Sequence, residues 1–457
     1  MRPTLLALLI CAPAIAFASG GPVPTVIVNI HALGADRVEA LKQAPGVAWS
    51  AEFGNEMLLG VTPESLAGWL KDERAKPGPP ELAFDEVVVR DHVCTLHDHE
   101  PAIAAVGGFE IVRKSPVLVQ ATRGAAITGE PLPSNGVVAR EVRNQRRSKG
   151  VLPPVAKVQN LLARIDANRW FDTMSDLAAF NRNTFNPGLI AAHDWVLQRF
   201  ADSGLQPQSF AFNMSVTAST CSPPPAAITA YNPIGIKRGE TLPDEWIVVG
   251  AHYDSRNIVR CDTTNPQPGA NDNASGCAGV IELARAFAEQ PTARSILFMC
   301  FSGEEQGLEG SRRYVISLQN SGEITRVKHM LNLDMIGHAI DDTLTARVET
   351  TSAQSQAGVL AMYTDAALTY APELNLVAIA ATQAYSDHWY FINAQIPAAF
   401  TWENGAGGIY PQYHSLNDLP ANMLRARPLA HGILKMDAAV LADLAVLLPL
   451  FAHGFED

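Results

Sequence analysis

Positive charge is what this sequence is shortest of. Against 46 Asp and Glu it sets only 34 Lys and Arg, for a formal net charge of −12. That balance excludes a surface built to neutralise nucleic-acid phosphates or to dock on anionic lipid. Long apolar runs are also missing: past the extreme N-terminus nothing approaches the roughly 20 consecutive apolar residues of a membrane-spanning helix, and no internal repeat is visible. What is present is bulk. A chain of 457 residues with 47% hydrophobic content can bury a large core and is too long for one ordinary domain, so two domains are expected.

The N-terminus carries Arg2, an apolar stretch from Leu5 to Phe17, and small residues around Ala16-Phe17-Ala18. This is the pattern of a secretory signal over residues 1–18, cleaved after Ala18. Pro3 and Pro13 bracket the run and argue against a buried helix, while Leu8-Leu9-Ile10 lacks the small residues that precede a lipidated cysteine at Cys11. The mature protein is therefore expected to be secreted or periplasmic, with no membrane span. Cleavage removes Cys11 and leaves Cys94, Cys221, Cys261, Cys277 and Cys300, an odd set in which at least one thiol is free or paired between chains. Cys277 and Cys300 fall in a helical and an apolar strand-like run and read as small buried hydrophobes. Cys221 and Cys261, in irregular stretches flanking one strand, are the candidates for a disulfide.

Residues 19–129 read as a small α+β module. Strands at 26–30, 47–52, 57–61 and 87–93 alternate with helices at 35–42 and from Thr62-Pro63-Glu64, a capping residue followed by proline and an acid. That order predicts a ferredoxin-like split βαβ unit. Such modules serve as protease pro-segments and as plain structural domains, and both roles stay open. The pair His97 and His99 reads as part of a solvated loop. Residues 130–154 are rich in turn formers and carry Arg140, Arg143, Arg146, Arg147 and Lys149, the composition of an exposed linker and a place for processing.

Residues 155–457 form the second domain. A helix opened by Asn186-Pro187 presents Leu189, Ala192, Trp195, Val196 and Phe200 largely on one face and ends near Gly204. Strand-like runs at 208–212, 226–231, 246–250, 295–301, 330–335, 376–380 and 398–401 alternate with helices at 274–287, 354–370 and 428–447. A mixed, mainly parallel sheet covered on both faces is the expected architecture, with its site at the carboxyl ends of the strands.

The polar residues gather where that rule puts them. Gly250-Ala251-His252-Tyr253-Asp254-Ser255 follows one strand, Pro268-Gly269-Ala270-Asn271-Asp272-Asn273 opens a helix, and Phe301-Ser302-Gly303-Glu304-Glu305 follows another strand. Asp334 ends Leu331-Asn332-Leu333-Asp334, and His414 lies in Tyr413-His414-Ser415. Histidine with carboxylates suits a borderline or hard cation. Each residue alone has a bland reading: His252 or His414 as an ordinary histidine, Asp272 as a helix cap, Glu304-Glu305 as an acidic turn, Asp254 as a turn residue.

Taken together, His252, Asp272, Glu305, Asp334 and His414 in this order and context closely resemble the dinuclear zinc aminopeptidases that include the secreted bacterial leucine aminopeptidases. The resemblance covers roughly residue 155 to the C-terminus and leaves out the N-terminal module. It implies two zinc ions per chain, with Asp272 bridging them, His252 and Asp334 completing one, and Glu305 and His414 completing the other. It implies Glu304 as the general base and Asp254 as the partner of the second His252 nitrogen. Ser386, Asp387 and His388, with Tyr385 before them, resemble a segment near the family's substrate pocket, although Gln383-Ala384-Tyr385 lacks a cysteine that some members carry there. Three adjacent residues cannot form a serine-hydrolase triad. The expected partners are peptides with a free N-terminus, with apolar first residues preferred. The alternatives are another dinuclear zinc hydrolase, such as a carboxypeptidase or amidohydrolase, and a binding ectodomain without catalysis.

Overall fold

The first β-α-β-β-α-β run lays down β1 (Thr25–Asn29), α1 (Ala35–Lys42), β2 (Val47–Gly54), β3 (Glu56–Val61), α2 (Pro63–Trp69) and β4 (Ala75–Pro77). The computed structural model describes residues 21–31, 33–91, 102–114, 130–141, 153–216, 221, 224–259, 262–403 and 410–447. Outside them lie the expected signal segment, His97 and His99, Cys94, Cys261 and most of the basic run. Strands of the first unit run in the order β4-β1-β3-β2 with antiparallel neighbours. Strand alternation sends Val26 and Val28 to the side where Val38 and Leu66 of the helices pack, and Ile27 to the other side.

The fourth strand of this unit is Ala75–Pro77, not 87–93. Residues Val87–Asp91 form β5 of a second sheet with β6 (Ala104–Val106), β7 (Phe109–Arg113) and β8 (Glu130–Pro131), in the order β6-β7-β5-β8. The run Val87-Val88-Val89 is apolar on both faces. Val87 and Val89 join Phe53, Phe109 and Ile111 between the sheets, while Val88 meets Val112 on the far side. A continuous apolar run announces a strand but not its partner.

The segment expected as a linker is structured in part. Gly136–Glu141 forms β9, which pairs in parallel with β2 and antiparallel with β16 (Asn375–Ala381) of the C-terminal half. Through β9 the two halves share one 13-stranded sheet. Only Val137, Val138 and Ala139 carry the apolar signal of that strand, too short a run to stand out between prolines and arginines.

The C-terminal half adds α3 (Ala156–Leu162), α4 (Ala167–Ala178), α5 (Gly188–Asp202), β10 (Gln206–Met214), β11 (Ile228–Lys237), β12 (Leu242–His252), α6 (Ser275–Phe287), β13 (Arg294–Phe301) and α7 (Glu309–Ser321). It continues with β14 (Val327–Leu333), β15 (Thr345–Thr351), α8 (Val359–Tyr370), β16, α9 (His388–Asn393), β17 (Ala398–Glu403) and α10 (Ala426–Leu444). The order is β10-β11-β13-β12-β14-β17-β15-β16, with β13, β12, β14 and β17 mutually parallel. Ile247, Val249 and Ala251 pack toward α4, α6 and α10, whereas Val248 packs toward α7 and α9 on the opposite face. The sheet is thus mixed and covered on both faces.

Strand β15 was hidden because only Ala346 and Val348 of its buried residues are apolar, the others being Arg347, Glu349, Thr350 and Thr351. Arg347 pairs with Glu349 at 2.6 Å within the strand, and the Thr350 hydroxyl donates to the Ala398 carbonyl of β17 at 2.7 Å. The helix expected from 354 begins only at Val359, after Gly358 at φ 86°. Cys277 and Cys300, expected as separate thiols, form a disulfide with Cα atoms 5.9 Å apart, joining α6 to β13. Cys221 is also disulfide-bonded, and the proposed partner Cys261 lies outside the described residues. Among the described residues no helix is long and apolar enough to cross a membrane.

Candidate metal centre

Neighbouring parallel strands end together, and this brings distant parts of the chain to one place. His252 closes β12 opposite Phe301 of β13, so Glu304 and Glu305 follow three and four residues past the same edge. Gly250 pairs with Asn332 of β14, so Asp334 emerges beside His252. Asp272 lies in the turn that feeds α6, across a cis peptide bond to Asn273. Gly269 starts that turn at φ 45°, and a Cβ there would stand 2.2 Å from the Asp272 carbonyl oxygen, so only glycine fits.

All seven residues expected to carry chemistry, namely His252, Asp254, Asp272, Glu304, Glu305, Asp334 and His414, are buried together. Asp272 stands between the two histidines: Oδ1 is 3.3 Å from His252 Nε2 and Oδ2 is 3.0 Å from His414 Nε2. His252 Nε2 is also 3.3 Å from Asp334 Oδ1, and His414 Nε2 is 3.3 Å from Glu305 Oε2. Glu304 stands farther back, with Oε2 4.0 Å from His252 Nε2. Two groups of donors result, His252, Glu304 and Asp334, and Asp272, Glu305 and His414, each within 4.8 Å.

These separations fit a small dication. Ligand atoms about 2.0 to 2.1 Å from a tetrahedral zinc sit roughly 3.3 Å from each other, and the donors here stand 3.0 to 3.3 Å apart. Glu305 Oε1 is buried with no hydrogen-bond donor among the described residues. Charge tells the same story. Burial opposes a charged His252, but Asp334 and Glu304 outweigh it and hold the imidazole well above its usual range. Burial, reinforced by Glu305, Asp334 and Asp387 and opposed by His252, pushes the Glu304 carboxyl well up. Burial also raises Asp334 and takes Asp387 to about 7. Several carboxylates packed this tightly away from water call for cations.

The supporting residues differ from expectation in detail. Asp254 meets His252 Nδ1 through its main-chain carbonyl, at 3.1 Å, while its carboxylate is 3.6 Å away. That carboxylate instead accepts the Glu304 N–H at 3.2 Å and the Thr184 hydroxyl at 2.8 Å, so it holds the Glu304 turn. The contacts of the four residues expected at a substrate pocket are as follows. Ser386 donates to Asp334 Oδ2 at 2.8 Å, His388 stacks on Phe400 with burial lowering its pKa to about 3, and Tyr385 packs edge-on against Phe109 of the N-terminal module. Asp387 is fully buried beside these.

Three residues of the site were missed in the sequence. Asp418 accepts the N–H groups of Asn271 and Asp272 at 2.8 and 3.0 Å and so fixes the Asp272 turn. Buried Arg182 donates to the carbonyls of Leu177, Tyr253, Pro268 and Gly269, tying the end of β12 to the same turn, and its burial lowers its pKa to about 10. Arg256 lies against Glu305 and His414. Arg256 shares the His252 motif and could have been found by asking what an apolar strand end wants with a cation. Asp418 and Arg182 carry no such signal, because their partners are backbone groups.

The model of "Peptidase family M28" matches residues 232–436, which hold all five expected ligands. A probable zinc metalloprotease of Leptosphaeria maculans is 32% identical over 199 residues, 41% of this chain and 46% of that protein. Aminopeptidase YwaD of Bacillus subtilis is 34% identical over 194 residues, 42% of this chain and 40% of its own. The chain thus spans less than half the length of these curated relatives. In fold it is similar to the LapA aminopeptidase of Legionella pneumophila, with a TM-score of 0.52 at 18% identity over 80% of this chain and 99% of that one. The zinc aminopeptidase BSAP of Bacillus subtilis gives 0.52 at 18% identity, over 63% and 97%. The fold, the order of the buried donors and the matched segment agree, and over residues 232–436 the chain is similar to peptidase family M28.

Proposed function

We propose that the protein is an exported aminopeptidase that holds two zinc ions and removes N-terminal, preferentially apolar, residues from peptides. The observation that carries this reading is the position of Asp272, one carboxylate with an oxygen turned to each of two histidines. A short carboxylate in that place suits a bridge between two cations about 3.5 to 4 Å apart. His252 and Asp334 would complete one position, and Glu305 and His414 the other. Zinc bound there supplies a Lewis acid for the scissile carbonyl and makes water a nucleophile near neutral pH.

The chain's own groups do the rest. Glu304 stands back from His252 farther than Asp272 or Asp334 does, which suits a base rather than a ligand. Its carboxylate takes the proton from the attacking water and returns it to the departing amine as the C–N bond breaks. Asp254 holds the main chain of Glu304 in place. The carboxylate-rich interior suits the ammonium of a free N-terminus. Met335, Phe400 and Trp402, with Tyr413 packed against them, form an apolar cluster next to Asp334 and His414 in sequence, in keeping with an apolar first residue. The names of the similar proteins, zinc metalloprotease and aminopeptidase, support the same chemistry. The test is hydrolysis of a leucyl anilide: chelation should abolish it and zinc restore it, and activity that survives complete metal removal refutes the reading.

A further inference from the structure

We propose that the N-terminal module sets the preference for the first residue of the substrate: the turn between β6 and β7, acting through Arg347, fixes the shape of the apolar cluster beside Asp334 and His414. The inference rests on the reading of that cluster as the place of an apolar first residue. Arg347 of β15 is buried. Its Nε lies 2.6 Å from Glu349 Oε1, and its Nη1 donates to the carbonyl of Gly107 in the turn. The guanidinium also lies over two rings, Phe109 of β7 at 5.4 Å and Trp402 of β17 at 5.5 Å from their centroids. One cation thus joins the module to β17. A buried guanidinium keeps its charge, so its place is fixed by partners of this kind.

The link runs on to the site. Trp402 faces Arg347 in the register of β15 with β17, and its Nε1 donates to the same Glu349 oxygen at 2.7 Å. Its ring stacks on Phe400, with centroids 5.7 Å apart and an interplanar angle of 7°. Both rings pack with Met335, the residue after Asp334, and with Tyr413, which stacks on His414. The turn lies hard against these groups, since a Cβ on Gly108 would stand 2.1 Å from Arg347 Nη1 and 3.6 Å from the Trp402 ring. Phe109 meets Tyr385 edge-on, one residue before the Ser386 that donates to Asp334. A pocket discriminates between apolar side chains only as well as its walls keep their shape. Here the wall is braced from outside residues 232–436, by a turn of the N-terminal module. Arg347 is the positioning residue that carries the brace.

The experiment measures kcat and KM of the zinc-loaded full chain on leucyl and alanyl anilides. Wild type should favour the leucyl substrate by about tenfold or more. Phe109→Leu and Arg347→Lys loosen the brace and keep the charges around Glu349. Each should cut that preference by about fivefold or more, mainly through a higher KM for the leucyl substrate, with kcat for the alanyl one within about threefold. Val112→Ala, which shortens a core side chain on the far face of β7, should leave the preference within about twofold. A ratio of two substrates is blind to the fraction of folded protein, so general destabilisation does not imitate the effect. Should Arg347→Lys fail to fold, Phe109→Leu decides. An unchanged preference in the folded variants of this pair, or an equal shift in Val112→Ala, overturns the inference and leaves the aminopeptidase reading intact. A wild type that cleaves neither anilide, or shows no preference between them, overturns the reading of the cluster and the inference with it.

Discussion

The Ser386 hydroxyl donates to Asp334 Oδ2 over 2.8 Å, which leaves Asp334 Oδ1 turned to His252, 3.3 Å away. Ser386 itself accepts from Asn332 Nδ2 at 2.8 Å, so strand β14 fixes both ends of the contact. Ser386→Ala should therefore weaken zinc retention by about 10 to 100-fold, the usual effect of losing a group that orients a ligand. Competition with a chromogenic chelator measures it, and an unchanged affinity would mean that Asp334 needs no such support.

Glu304→Gln keeps the side-chain shape and removes the base. Turnover should fall by roughly 10² to 10⁴, with zinc content and thermal stability retained, because Glu304 lies farther from His252 than the expected ligands do. Asp272→Asn should instead lose metal, since it takes charge from the group that faces both histidines. If Glu304→Gln loses zinc but stays active once reloaded, the roles of Glu304 and Glu305 are exchanged.

The C-terminal half was legible because its signals are local. Largely apolar runs marked β12, β13 and β14, and within three residues of the end of each stands a polar residue of the candidate site: His252, Glu304 and Asp334. What escaped has a common cause: it depends on partners far away in the chain. β15 hides because Arg347 and Glu349 pair inside the protein. β9 hides because three apolar residues acquire meaning only beside β2 and β16. Cys277 and Cys300 looked like packing residues because nothing local says that a helix and a strand bring them to 5.9 Å. Asp254 lies beside His252, but which of its oxygens meets the imidazole is a matter of tenths of an ångström.

The N-terminal module is joined to the rest by more than the chain. β9 pairs with β16, Phe109 meets Tyr385 at 6.3 Å between ring centroids, and Arg347 lies over Phe109 and donates to the Gly107 carbonyl. Leu308, just past Glu305, is buried in the same cluster. Cleavage within 142–152 should consequently leave two fragments that elute together, with activity within about twofold of the intact chain, against the roughly 10²-fold or greater effects expected at the site itself. Release of the module with a severalfold rise in activity would establish an inhibitory pro-segment instead.

Asp437 of α10 accepts from the Thr401 hydroxyl at 3.1 Å, and burial pushes its carboxyl up to about 8. The unfolded chain releases this proton near pH 3.9. Between about pH 4 and 8 the folded state alone keeps it, so the stability from this group is complete at low pH and is lost as pH rises to about 8. Asp437→Asn keeps an acceptor for Thr401 and removes the titration. Its Tm should gain on wild type across that window and level off above it; a difference independent of pH would show that Asp437 does not titrate there.

The central claim is that the site acts on the first peptide bond of a chain with a free amine. The direct measurement is mass spectrometry of products from one apolar-headed peptide in three forms: free, N-acetylated, and C-terminally amidated, each with zinc-loaded protein. The account predicts stepwise loss of residues from the N-terminus of the free and amidated forms, and none from the acetylated form. Cleavage of the acetylated peptide, or a requirement for the free C-terminal carboxylate, would contradict it.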